Sequence, residues 1–225
     1  PFQSPRYAAH MVAEQTLPSI AGYFAAMLYN PNNVSREAAP VTVRLELEAC
    51  RLIGDMIGYG PDGWGHLTGG GTIANFEALW VARTVCYLPE VVADMRRTLG
   101  LSHQGVGSYP AEQLEAFTNV FTEAADEDVP FTRVLQAYHA SWYCVVERGL
   151  ASVVASDGRN PVVLAPESHP YCFEKALDVL GMGRDALVTV AVDTDFRMDV
   201  ADLDRKLDQI AKGGGRVVAG VAGGR

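Results

Sequence analysis

From Pro161 to Val221 the chain alternates short apolar runs with helical spacing, and this rhythm restricts the fold more than any other feature. Residues 161–165 (PVVLA), 186–192 (ALVTVAV) and 216–221 (RVVAGV) are rich in β-branched residues and predict strands. Between them, residues 169–180 have helical spacing and stop at Gly181. A second helix is predicted from Asp199 to the Gly213-Gly214-Gly215 run. Strands joined through helices are the pattern of a parallel sheet, because parallel neighbours need a long crossover. The chain is therefore expected to be α/β.

The part before this rhythm is expected to be helical. Residues 16–29 are mostly apolar, with Thr16 as N-cap and Pro18 at an early helical position. Such a helix needs a surface to pack against, for which a second subunit is a candidate. Residues 30–40 are dense in Asn and Pro and predict a loop. Residues 42–58 return to helical spacing, closed by Gly58 and Gly60. Trp64–Thr68 is a short strand candidate. Helices are expected over 72–86, from Pro89 to Gly100, near 110–124 and over 131–149. The acidic patch Glu123, Asp126, Glu127 and Asp128 predicts a solvated loop.

Composition narrows the function. Eighteen Lys and Arg against 27 Asp and Glu give a net charge of −9. Nucleic acid and anionic membranes are poor partners for such a chain, since phosphate binding needs a basic face. No run reaches the roughly 18 apolar residues of a membrane span. The N-terminus lacks a basic-then-apolar signal pattern. Cys50, Cys86, Cys144 and Cys172 lie far apart without a CxxC pair, so neither a metal site nor a disulfide framework is expected. Reduced cysteines and a cytoplasmic location are the expectation.

Two segments carry chemistry. In Trp64-Gly65-His66-Leu67-Thr68-Gly69-Gly70-Gly71-Thr72-Ile73-Ala74-Asn75, three glycines lead into a helix. Glycines let backbone amides approach an anion, and a helix N-terminus adds unpaired donors and partial positive charge. The Gly-Lys-[Ser/Thr] ending of a nucleotide P-loop and the GxGxxG spacing are both missing. Phosphate binding and a tight connection without ligand both stay open on these residues. His169, in Ala165-Pro166-Glu167-Ser168-His169-Pro170-Tyr171, follows a strand, at the rim where open α/β sheets bind ligands. It could stack on a planar ring or move a proton, or be a helix-start histidine satisfied locally.

The ordered motifs resemble the pyridoxal-phosphate-dependent group II amino-acid decarboxylases, closest to the bacterial tyrosine decarboxylase-like branch. Thr68–Asn75 resembles the family's TSGGTxAN phosphate loop, and Glu167-Ser168-His169 the segment whose histidine stacks on the cofactor ring. Ser4–Met11 resembles the N-terminal substrate-side segment. Asn30-Pro31-Asn32-Asn33 with Pro40 and the Glu46/Glu48 helix also fits, as does Asp195–Asp199 as a short linker. The resemblance implies pyridoxal 5'-phosphate as cofactor and the aspartate-aminotransferase-like fold (fold type I). It implies a helical dimerisation segment over 1–62, and over 63–225 the first part of the large cofactor-binding domain. Gly70, Gly71 and Thr72 would hold the phosphate, His169 would stack on the ring and serve in catalysis, and His10 would lie on the substrate side. The implied reaction is decarboxylation of an aromatic, tyrosine-like amino acid in a homodimer.

The sequence departs from the family pattern in two places. Gly69 stands where the family often has Ser. The third strand runs into Ala222-Gly223-Gly224-Arg225 without the family's Gly-Thr-Thr loop, ring-nitrogen Asp or Schiff-base Lys. The sequence holds three lysines, Lys175, Lys206 and Lys212, none matching that lysine motif, and all are expected to be solvated. A C-terminal half, in this chain or a separate polypeptide, is therefore expected to supply those groups. Other readings are the same fold with oxidative deamination or aldehyde synthesis, and a non-catalytic truncated partner.

Overall fold

In the computed structural model residues 15–61 and 63–222 are described, and they fall into two units that part between Thr68 and Gly69. In the first unit, α1 (Leu17–Tyr29) begins where the Thr16 side chain accepts the Ser19 N–H, with Pro18 in the first turn. Helix α2 (Thr42–Ile57) ends at Gly58, whose φ of 88° forms a left-handed cap. Neither helix contains a buried side chain. Glu46 on α2 accepts the Asn33 side-chain amide and the Leu67 N–H, each at 2.9 Å. The Leu67 hydrogen bond, helped by that from Asn33, holds the Glu46 carboxyl below its usual range. Trp64–Thr68 is not a strand: the Leu67 amide goes to a side chain instead of a ladder.

The second unit begins with α3 (Gly71–Val85), α4 (Leu88–Leu99), α5 (Pro110–Asp126) and α6 (Phe131–Ala140). Helices α4, α5 and α6 pack around Val91, Val92, Met95, Val120, Ala124 and Val134. Each of the buried Val and Met side chains contributes roughly 1.5–3 kcal/mol. The helix expected over 131–149 breaks at Ser141. Its hydroxyl donates to Asp94 at 2.9 Å, and a short α7 (Val145–Arg148) and α8 (Leu150–Asp157) follow. Glu123 lies in α5 instead of a loop, and its carboxylate forms two hydrogen bonds, of 2.8 and 2.7 Å, with buried Arg96.

The sheet follows the predicted rhythm. β1 (Asn160–Pro166), β2 (Leu187–Val190) and β3 (Gly215–Gly220) are parallel in the order β2-β1-β3. Helix α9 (Cys172–Val179) joins β1 to β2, and α10 (Val200–Lys212) joins β2 to β3. Asp199 caps α10 by accepting the Ala201 and Asp202 amides. Leu79 of α3 and Phe173, Ala176 and Leu177 of α9 pack with Val163 of β1. At the other end of the sheet, buried Arg216 pairs with Asp157 and Glu90 and lies 4.6 Å from the Tyr87 ring centre. All four cysteines are free, and burial pushes the Cys86 thiol up to about 12. Among the described residues no helix is long and apolar enough to cross a membrane.

Candidate functional site

The three glycines lie exposed at the start of α3. Gly70 has φ 148° and ψ 168°, a conformation that only glycine adopts readily. A side-chain carbon placed on Gly69, Gly70 or Gly71 would meet nothing within 4 Å. Backbone geometry, not crowding, demands glycine at position 70, and the space beside the loop is open. The helical ladder starts with the Ile73 and Ala74 amides, both 3.0 Å from the Gly70 carbonyl. The Gly71 and Thr72 amides stand ahead of it, at the positive end of a 15-residue helix. This arrangement fits a phosphate group.

Further along the same helix, Asn75 reaches a cavity of about 850 Å³ at the C-terminal ends of the parallel strands. Its side-chain amide lies 3.3 Å from the Cys172 sulfur, tying the first turns of α3 to the start of α9. Pro166, Ser168 and His169, on the β1–α9 connection, form the adjoining wall. The His169 Nδ1 lies 2.8 Å from the Pro166 carbonyl. A carbonyl oxygen only accepts, so Nδ1 is the donor of this hydrogen bond. Nε2 is 3.8 Å from a Glu174 carboxylate oxygen, and the Phe173 ring meets the imidazole edge-on at 6.5 Å. The side chain is 10% exposed. His169 thus has the local hydrogen bond of a helix-start histidine and also a place on the cavity wall.

The opposite wall was not singled out as a site by sequence reasoning. It is the turn Thr194–Met198, between β2 and α10. The Asp193 carboxylate accepts the Asp195 and Arg197 amides at 2.8 Å each, and the Asp193 amide reaches the Arg197 carbonyl. Phe196 sits at φ 61°, where an L-residue costs roughly 1–2 kcal/mol. Asp202 braces the base of the turn by accepting the Ala191 N–H at 2.8 Å. That hydrogen bond, together with Lys206, holds its carboxyl below the usual range. The signal in the sequence was the Asp193-Thr194-Asp195 turn chemistry after a strand.

The remaining candidates do not gather here. His10 lies outside the described residues. His66 is exposed in the first unit, edge-on to Trp64 at 5.4 Å. Lys175 and Lys212 are exposed as expected. Lys206 is not: it is 27% exposed and pairs with buried Asp202 at 2.9 Å. Among the described residues no group of three His, Cys, Asp or Glu is placed to hold a metal.

No family model matches the chain. An L-tyrosine decarboxylase of Enterococcus faecium is 29% identical over 212 residues, covering 92% of this chain and 31% of that protein. One of Levilactobacillus brevis is 30% identical over 201 residues, covering 88% and 29%. Over nearly its whole length the chain is similar to these bacterial tyrosine decarboxylases. It spans 31% of the first relative's length. Two solved structures share the fold. The glutamate decarboxylase domain of diaminobutyrate-pyruvate transaminase and L-2,4-diaminobutyrate decarboxylase from Vibrio parahaemolyticus superposes with a TM-score of 0.59 at 16% identity. It covers 92% of this chain and 33% of that one. Mouse CSAD gives 0.53 at 19% identity, covering 88% and 29%. As in the tyrosine decarboxylase-like resemblance, the fold is α/β with helices before a parallel sheet.

Proposed function

We propose that the natural polypeptide is a pyridoxal-phosphate-dependent decarboxylase of an aromatic amino acid, and that residues 69–222 carry the phosphate and ring-facing edge of its cofactor site. The observation that carries this reading is the pairing, in one unit, of an open glycine-led helix start with a cavity walled by His169. Pyridoxal phosphate supplies, when bound, an electron sink for the pair left by departing CO2. The Gly70, Gly71 and Thr72 amides hold its phosphate, and the Thr72 hydroxyl adds a donor. The His169 imidazole, oriented by the Pro166 carbonyl, keeps the planar ring in register and shares a proton through Nε2. An Asp and a Lys from further polypeptide, in this chain or a separate one, complete the site.

The first unit serves dimerisation in this reading. Leu17, Leu28 and Tyr29 are each more than four-fifths exposed. Helices α1 and α2 also border an apolar groove of about 640 Å³ lined by Gly22, Ala25, Ala26 and Leu45. A second subunit would cover these faces. The free cysteines suit the cytoplasm.

The test uses the natural polypeptide that carries this chain. Pyridoxal phosphate should be retained, while pyridoxal, lacking the phosphate, should be lost on desalting. Retention of both alike would remove the phosphate from the glycine loop. His169→Ala should lower CO2 release about a hundredfold, with little change in Tm. His169→Gln should recover cofactor retention better than rate. Wild-type turnover in both variants would reduce His169 to a loop histidine.

A further inference from the structure

Phe196 is an aromatic side chain left 78% exposed at a backbone angle that disfavours it. Strain of this kind persists only where the surroundings over-determine it. Here they do. The Asp193 carboxylate holds the amides on either side of Phe196, and the Phe196 amide itself donates to the Asp193 carbonyl at 3.0 Å. Val192 and Met198 pair across the base of the turn, and the Asp199 amide closes it on the Ala191 carbonyl. The Val192 amide also reaches the Glu167 carboxylate at 3.4 Å, linking the turn to the connection that bears His169. The backbone that carries Phe196 is therefore fixed, and Phe196 lines the same cavity as His169.

A cavity of about 850 Å³ has the size of small-molecule sites, in which a few fixed groups set orientation. An exposed phenyl group on such a wall offers a flat apolar face and a positive edge, complementary to another aromatic ring. We propose that Phe196, positioned by Asp193, is the specificity-determining residue that packs against the aromatic ring of the substrate. The proposal rests on the decarboxylase reading for the identity of the site. It adds which residue selects the substrate side chain.

The test again uses the natural polypeptide with pyridoxal phosphate. Hydrocinnamate serves as the probe, since it carries a ring and a carboxylate but no reacting amine, and hexanoate is its ring-free counterpart. Phe196→Gly removes the ring and suits the backbone, because glycine accepts positive φ without strain. Binding is read by calorimetry and the fold by Tm. Phe196→Gly should raise the Kd for hydrocinnamate about tenfold and that for hexanoate less than about twofold. Phe196→Tyr, which keeps the ring, should stay within about twofold of wild type for hydrocinnamate. In turnover, Phe196→Gly should raise KM for aromatic amino acids while kcat changes less. Unchanged hydrocinnamate affinity in Phe196→Gly, with cofactor retained and Tm intact, would overturn the role of Phe196. Ring preference lost only in Phe196→Gly, in a protein that retains no pyridoxal phosphate, would support Phe196 and overturn the decarboxylase reading alone.

Discussion

Helices α1 and α4 obey the same local rules and end in opposite situations. Each has a proline in its first turn, and each is closed by a residue in the left-handed region, Asn30 or Gly100. Yet α4 buries Leu88, Val91, Val92, Met95, Arg96 and Leu99, whereas α1 buries nothing. Caps and spacing decide where a helix begins and ends. Whether its apolar face becomes core depends on what the rest of the molecule brings to it. A helix as short as α1 is marginal alone in water, so its apolar face calls for a covering surface.

The largest effect that would sharpen this contrast lies in the buried ion pairs of the second unit. Arg216→Met should cost about 3–5 kcal/mol, because it removes the buried cation shared by Glu90 and the nearly buried Asp157, and leaves Asp157 with only the half-exposed Arg159. Chemical denaturation measures this, and a loss below about 1 kcal/mol would show that the network relaxes or admits water.

Next comes a matched pair of truncations. Met95→Ala, at a fully buried position, should cost about 2–5 kcal/mol. Leu28→Ala, at a side chain 85% exposed, should stay within about 0.5 kcal/mol in dilute monomer but weaken self-association in light scattering. Equal costs at the two sites in monomer would erase the distinction between the units.

The smallest effect is a titration. The Arg96 guanidinium holds the Glu123 carboxyl below its usual range of about 4.3. With the folded value below the unfolded one, the stabilisation is complete above the unfolded value and disappears as pH falls through the folded one. Stability measured from pH 6 down to pH 3 should therefore fall less steeply in Glu123→Gln than in wild type. Parallel curves would mean that the pair adds no pH dependence.

The sequence made legible what neighbours along the chain decide. Thr16 with Pro18, Asp199 and Gly100 mark helix ends through their own chemistry, and three β-branched runs were enough for a parallel sheet. Contacts distant in sequence decided the rest. Ser141 ends α6 because Asp94, far away in sequence, takes its hydroxyl. Glu123 leaves the expected acidic loop because Arg96 is buried beside it. Trp64–Thr68 has the apolar character of a strand, but the Leu67 amide bonds to Glu46. At the candidate site, the glycine loop and His169 stand in recognisable motifs. The Phe196 wall emerges only when the turn after β2 is brought across the cavity from β1.

The order β2-β1-β3 also sets a timetable for synthesis. β1 is the central strand, yet it is the first of the three to leave the ribosome, with both edges bare. One edge must wait for β2, and Asn160 meets Gly215 only after roughly 55 further positions have been made. At typical elongation rates of about 5–20 residues per second, that interval is on the order of seconds. Throughout it, the strand that leads to His169 offers unpaired amides and carbonyls to any neighbouring nascent chain. Slowing translation across α10 would lengthen this exposure, so the α10 coding region is a place where elongation speed would govern the yield of folded protein.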